Sequence, residues 1–322
     1  MIRFAGVSKT FPGGVKAVQG LDLEVQQGEV MVLLGTSGSG KTTAMKMVNR
    51  LIDPSAGKVE VEGTDVRRHD PIELRRRIGY AVQGTGLFPH FDVRQNVAVV
   101  PRLLGWSDER IEARIDELLE MVGLDAEQQS GRYAHQLSGG QQQRVGVARA
   151  LAADPAILLM DEPFGALDPI TRNSLQREFY DLQQRLGKTI LFVTHDVSEA
   201  FLLGDRIGLL DEGRLRQLGT PRELLAAPSG AFSEKLLGPQ RIQLVLELST
   251  LDEIIDRGDL EPAATGEAPA RLELETSLAA TLNTFELHEA DRLPVFDQQQ
   301  RLGELQRDKA YELVRRAAAV QR

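Results

Sequence analysis

The chain contains no cysteine, which excludes disulfide cross-links and thiol chemistry alike and fits a reducing cytosol, although many secreted proteins also lack cysteine. Long hydrophobic runs are missing too. No stretch approaches the ~18–20 uninterrupted apolar residues that cross a bilayer, and the opening MIRFAGVSKTF lacks the apolar core of a secretory signal. Any role at a membrane is therefore expected to come through a partner. Basic excess is absent as well: 38 Lys and Arg against 47 Asp and Glu leave a net charge of −9, which argues against a broad nucleic-acid surface, because phosphate binding relies on clustered cations.

What remains is ordinary globular material, 42% hydrophobic and 26% charged. At roughly 100–200 residues per domain, 322 residues suggest two domains. Short β-branched runs recur at 29–34, 58–61, 78–83, 156–160, 189–194 and 206–210, mostly separated by segments of helical period, and predict an α/β domain. Between 91 and 152 the strand signals vanish, while Ile111, Ile115, Leu118 and Leu119 mark one helix face, so a helical insertion is expected there. Residues 258–270, rich in Pro, Ala, Gly and Glu, suit a linker. Beyond them, 271–275, 277–287, 292–295, 301–305 and 308–317 predict a small β-α-β-β-α unit.

The strongest chemical signal is Gly35-Thr36-Ser37-Gly38-Ser39-Gly40-Lys41-Thr42-Thr43, a P-loop following an apolar strand and opening a helix. Its glycines let successive N–H groups face phosphate oxygens, Lys41 adds a point charge, and the Thr42 hydroxyl suits Mg²⁺. The buried run 156–160 then ends in Asp161 and Glu162. Such a pair is often only a solvated turn, but after a P-loop it reads as an aspartate that holds Mg²⁺ and a glutamate that polarises the attacking water.

Leu137-Ser138-Gly139-Gly140-Gln141 resembles the signature motif of ABC ATPases, and the other family positions follow in order. Physically, Ser138 with the Gly139 and Gly140 amides forms a second anion-binding helix start, more than one chain needs for one nucleotide. The resemblance implies a head-to-tail dimer in which Ser138, Gly139, Gly140, Gln141 and Asp168 of one subunit close over ATP held by the other. It further implies that Phe11 stacks on adenine where tyrosine is usual, that Gln83 reaches Mg²⁺ and the water, that loop 84–90 faces a permease, and that His195 bonds the γ-phosphate. Gly165 stands where the family commonly has serine.

Neither a long heptad insertion nor a second P-loop occurs, which favours a transporter motor over chromosome-maintenance or translation-associated relatives. The stretch 78–90, with 49–53 upstream, is most similar to importer ATPases for glycine betaine, choline and related quaternary amines. Residues 292–297 and 302–308 resemble a cystathionine-β-synthase (CBS) repeat, one where the family usually has two.

These readings give an α/β P-loop ABC ATPase domain over 1–240 with a helical subdomain at about 91–152, a linker over 241–270, and a single α+β CBS-like regulatory unit over 271–322. Two such units are expected to pair through apolar faces including Leu272, Leu278, Leu282 and Val295. Expected partners are a second ATPase subunit, an integral-membrane permease and an extracytoplasmic substrate-binding protein, without nucleic acid, at the cytoplasmic face of the inner membrane. The alternatives are an ATPase of another importer or exporter, or a non-transport ABC ATPase acting on ribosome or nucleic acid.

Overall fold

The computed structural model describes residues 1–84, 86–262 and 268–320, the side chains of residues 257 and 318–320 excepted. Thr85 in the expected permease-facing loop, 263–267 in the expected linker and the last two residues of the expected C-terminal unit lie outside the described residues. The chain divides into two compact units, residues 1–221 and 222–322.

In the first unit, β1 (Ile2–Thr10) and β2 (Lys16–Val25) pair antiparallel. Strand β3 (Val30–Gly35) runs into the helix Lys41–Val48. Strands β4 (Ala56–Val61) and β5 (Thr64–Asp65) then complete a four-stranded sheet of order β2-β1-β4-β5. Strands β6 (Ile78–Ala81), β7 (Ile157–Asp161), β8 (Thr189–Thr194), β9 (Arg206–Asp211) and β10 (Arg214–Gly219) join β3 in a six-stranded sheet of order β10-β9-β3-β8-β7-β6.

All but the edge strand β10 run parallel. Every residue of β3, β7 and β8 is buried, as strands covered on both faces require, and this is why they read as continuous apolar runs. The helix Lys41–Val48 buries Ala44, Met45, Met47 and Val48 in a core shared by both sheets, with Phe4, Val18 and Val59 on one side and Leu33, Leu159 and Val193 on the other. That packing fixes the helix axis, and with it the loop preceding Lys41.

Between β6 and β7 the chain is helical, as expected. The helices Val93–Leu103 and Asp108–Met121 both pack on Gly139–Leu151. Asp92 and Gln95 form a reciprocal capping box at the first, Ser107 caps the second, and Ile111, Ile115, Leu118 and Leu119 form its buried stripe.

The second unit holds β11 (Leu272–Glu273), β12 (Arg292–Asp297) and β13 (Gln300–Gln306) in that order, parallel then antiparallel, with the helices Leu278–Leu287 and Arg307–Val320. This is the expected β-α-β-β-α order, but two expectations need correcting. The unit begins at Arg222, not at 271: the expected linker opens with the helix Arg241–Leu248, whose Leu244 and Val245 are buried where it packs on the helices Leu278–Leu287 and Arg307–Val320. Leu272, Leu278 and Val295 are buried in the unit's own core and Leu282 is only half-exposed, so these side chains are not the free face expected for pairing.

Candidate active site

Parallel strands deliver their carboxyl ends to one edge of a sheet, where open α/β sheets hold ligands. Here β3 ends at Gly35, β6 runs on to Gln83, β7 ends at Asp161 and Glu162, and β8 leads to His195.

The P-loop needs its glycines. A Cβ on Gly35 would lie 2.1 Å from the Leu210 carbonyl oxygen, and one on Gly40 would lie 2.1 Å from that of Ala17, where φ is also +99°. Gly38, at φ +80°, turns the loop between them. Gly40 N-caps the helix without a side chain, which leaves the first-turn amides to a ligand. Thr36, Ser37 and Gly38 are exposed, Ser39 is buried, and Thr43 is half-buried in the first turn.

Lys41 is only 4% exposed. Its ammonium donates to Gly35 O at 2.8 Å, Thr36 O at 2.9 Å and Ser39 Oγ at 3.4 Å. Burial holds it below the usual lysine range, while Glu162 and Asp161 pull it back up. A buried cation held by neutral oxygens can exchange them for phosphate oxygens.

Thr42 Oγ1 donates to Asp161 Oδ1 at 2.8 Å, and Tyr80 OH donates to Asp161 Oδ2 at 3.4 Å. Burial raises the Asp161 carboxyl above its ordinary value, and the Thr42 hydrogen bond works against that rise. Among the described residues no three acidic or histidine side chains converge into a metal cage. The oxygen pair of Thr42 and Asp161 fits a hard cation that takes its remaining ligands from phosphates and water.

Glu162 has φ 45°, a left-handed conformation uncommon outside glycine, and its amide donates to Val193 O at 2.9 Å. Its Oε2 accepts from Gln83 Nε2 at 3.2 Å and lies 3.2 Å from His195 Nδ1. The Glu162 side chain is 17% exposed and that of His195 58%, so the cluster opens to solvent. Three residues expected at the reaction centre, carried by β6, β7 and β8, thus meet at one oxygen.

The signature and D-loop residues lie together, where Gly139 and Gly140 face Leu167 and Thr171. Ser138 caps the helix Gly139–Leu151, accepting from Gln141 N at 3.3 Å while Gln141 Oε1 accepts from Ser138 N at 3.0 Å. A Cβ on Gly139 would meet Leu167 at 3.5 Å, and one on Gly140 would meet Thr171 at 2.8 Å. Asp168 is exposed and caps the helix Pro169–Leu186 through Thr171 N at 3.1 Å. Among the described residues no hydrogen bond links Ser138, Gln141 or Asp168 to residues 35–43 of the same chain. Phe11 sits half-buried in the turn between β1 and β2, with the Lys9 ammonium 5.2 Å from its ring centroid.

Three residues at the site were missed by sequence reasoning. Tyr80 lies three positions before Gln83, a spacing that carries no signal of its own. Glu199 is 3% exposed, accepts from Gln176 Nε2 at 3.0 Å, and is pushed up to about 7, chiefly by burial. Arg172 lies between the D-loop and the His195 segment. For the last two, the only trace in the sequence is proximity to Asp168 and His195.

A P-loop at the ligand edge of a parallel sheet, with paired carboxylates at the end of the next strand but one, defines a P-loop nucleotide hydrolase. A family model described as ABC transporter matches residues 18–165. The glycine betaine/carnitine/choline transport ATP-binding protein of Bacillus subtilis (strain 168) is 46% identical over 300 residues, covering 93% of this chain and 76% of the relative. The glycine betaine uptake system ATP-binding protein of Escherichia coli (strain K12) is 48% identical over 299 residues, covering 93% of this chain and 95% of the relative. A solved dimer of an ATP-binding cassette in a post-hydrolysis state, bound to ADP and Pi, matches with TM-score 0.62 and 34% identity over 68% of this chain and 98% of that one. The chain belongs to the ABC transporter family, as an ATP-binding protein and ABC-type ATPase.

Proposed function

We propose that this ATPase drives an importer of quaternary amines such as glycine betaine or choline. Two copies pair head to tail, each holding ATP between its own P-loop and the partner subunit's signature, and dock on the cytoplasmic side of an integral-membrane permease fed by an extracytoplasmic binding protein. Among the described residues no helix is long and apolar enough to cross a membrane.

In this reading the P-loop amides and Lys41 hold the β- and γ-phosphates, Phe11 stacks on adenine, and Thr42, Asp161 and Gln83 hold Mg²⁺. When bound there, the ion would supply charge that offsets the negative charge of the phosphate oxygens. Glu162 polarises a water; as the water oxygen bonds to the γ-phosphorus, its proton moves toward the Glu162 carboxylate and the bond to ADP breaks. His195 and Gln83 fix the γ-phosphate and that water. Ser138 through Gln141, with Asp168, act across the dimer. The observation that carries this account is the meeting of Gln83 and His195 at Glu162 Oε2, beside the Thr42–Asp161 pair.

The quaternary-amine assignment is supported by the names of relatives at 46% and 48% identity and by the texture of residues 78–90. Its test is ATP-driven uptake by the complex reconstituted in vesicles with its permease and binding protein. Labelled glycine betaine or choline is expected to accumulate well above an ATP-free control, and labelled sugars or common amino acids are not. Accumulation of an unrelated solute, with betaine and choline at background, would remove the substrate assignment and leave the ATPase intact.

A further inference from the structure

Arg172 occupies the first turn of the helix Pro169–Leu186, just after the D-loop. Its guanidinium reaches back along the chain: NH2 donates to Leu167 O at 3.0 Å and to Gly165 O at 3.4 Å. On the other side NH1 lies 3.7 Å from Asp196 Oδ2, the residue following His195. Asp196 in turn caps the helix Val197–Leu203 through Glu199 N at 3.1 Å. The Arg172 side chain is 28% exposed, so these contacts are partly desolvated. It also forms a wall of a chamber of about 10 Å³, together with Glu162, His195 and Glu199.

We infer that Arg172 is a positioning residue: one guanidinium holds the D-loop carbonyls and the carboxylate beside His195, so that the segment carrying Asp168 and the segment carrying His195 move together. The inference rests on the roles proposed above for Asp168 and His195. A γ-phosphate that pulls on His195 would thereby also set the D-loop that faces the second subunit. The planar fork is what permits this, because a lysine ammonium at the same place cannot span two carbonyls and a carboxylate. Arg172 touches no residue of the P-loop among the contacts described, so it acts through the two loops it ties.

The test uses the full chain carrying Arg172→Gln, Arg172→Lys or Asp196→Asn; Asn retains the helix cap and loses the charge. Arg172→Gln is expected to lower kcat about tenfold through loss of alignment, with KM for ATP changed by no more than about twofold. Arg172→Lys should fall between it and wild type. Asp196→Asn combined with Arg172→Gln should be no worse than Arg172→Gln alone, because both remove one tie. In a Glu162→Gln background, Arg172→Gln should raise the protein concentration needed for ATP-dependent dimers about tenfold.

Wild-type kcat in Arg172→Gln, equal losses in kcat and ATP affinity, or fully additive effects of the pair would each overturn the inference. If Arg172→Gln does not fold, Arg172→Lys and Asp196→Asn decide by the same split. Failure of Glu162→Gln itself to dimerise with ATP would instead remove the composite-site reading, and the kcat–KM split would still decide the role of Arg172.

Discussion

Glu162 is the side chain on which two of the other groups proposed for hydrolysis, Gln83 and His195, converge. Its left-handed backbone and the hydrogen bond that its N–H donates to Val193 O turn the carboxylate off the end of β7 toward Gln83 and His195. Replacing it with Gln keeps the shape and removes the charge proposed to draw the proton from water. Glu162→Gln is therefore expected to bind MgATP yet hydrolyse it at least about 100-fold more slowly, and to elute as an ATP-dependent dimer on gel filtration. Hydrolysis at the wild-type rate would remove Glu162 from the reaction. This residue was legible because it follows a buried strand and stands in order between P-loop and histidine. Tyr80 and Arg172 were not, since what matters is which oxygen each one meets across the fold, a relation that no local spacing encodes.

Among the elements, the central strands were the most legible, because burial on both faces demands continuous β-branched runs. Strands β1 and β2 carry a weak sequence signal for a physical reason: register shifts between Phe4 and Thr10 break the period-two alternation that marks a strand. The helix Arg241–Leu248 is hard to tell from a linker in sequence because it is only 8 residues long and lies shortly before the Pro- and Gly-rich stretch that begins at 258.

The helix Val197–Leu203 carries a pH prediction. Burial raises Glu199 to about 7 from an ordinary 4.5, so the folded chain holds this proton more tightly than the unfolded one. The stabilisation is fully present below the unfolded value and is lost as pH rises through the folded one. Glu199→Gln cannot ionise and escapes that loss. Its stability relative to wild type should therefore rise by about 3 kcal/mol between pH 4.5 and pH 8, as read by urea unfolding at both pH values. Parallel pH profiles for the two proteins would show that Glu199 ionises normally.

For the whole molecule, the groups proposed for hydrolysis all lie in the unit 1–221, and they divide into two sets. One surrounds Lys41 and Glu162. The other, around Ser138 and Asp168, makes no hydrogen bond to residues 35–43 of its own chain among the described residues, and this division is what a site shared between two subunits requires. The second unit contributes none of these residues, and its role is proposed to be regulatory. Mixing inactive chains tests the shared site most directly. Lys41→Ala and Ser138→Arg homodimers should both be inactive, because each lacks one half of both sites. Equimolar mixtures should recover about a quarter of wild-type ATPase activity, since half the dimers are mixed and each mixed dimer regains one of two sites. No recovery on mixing, with mixed dimers shown to form, or full activity of Ser138→Arg alone, would contradict the account.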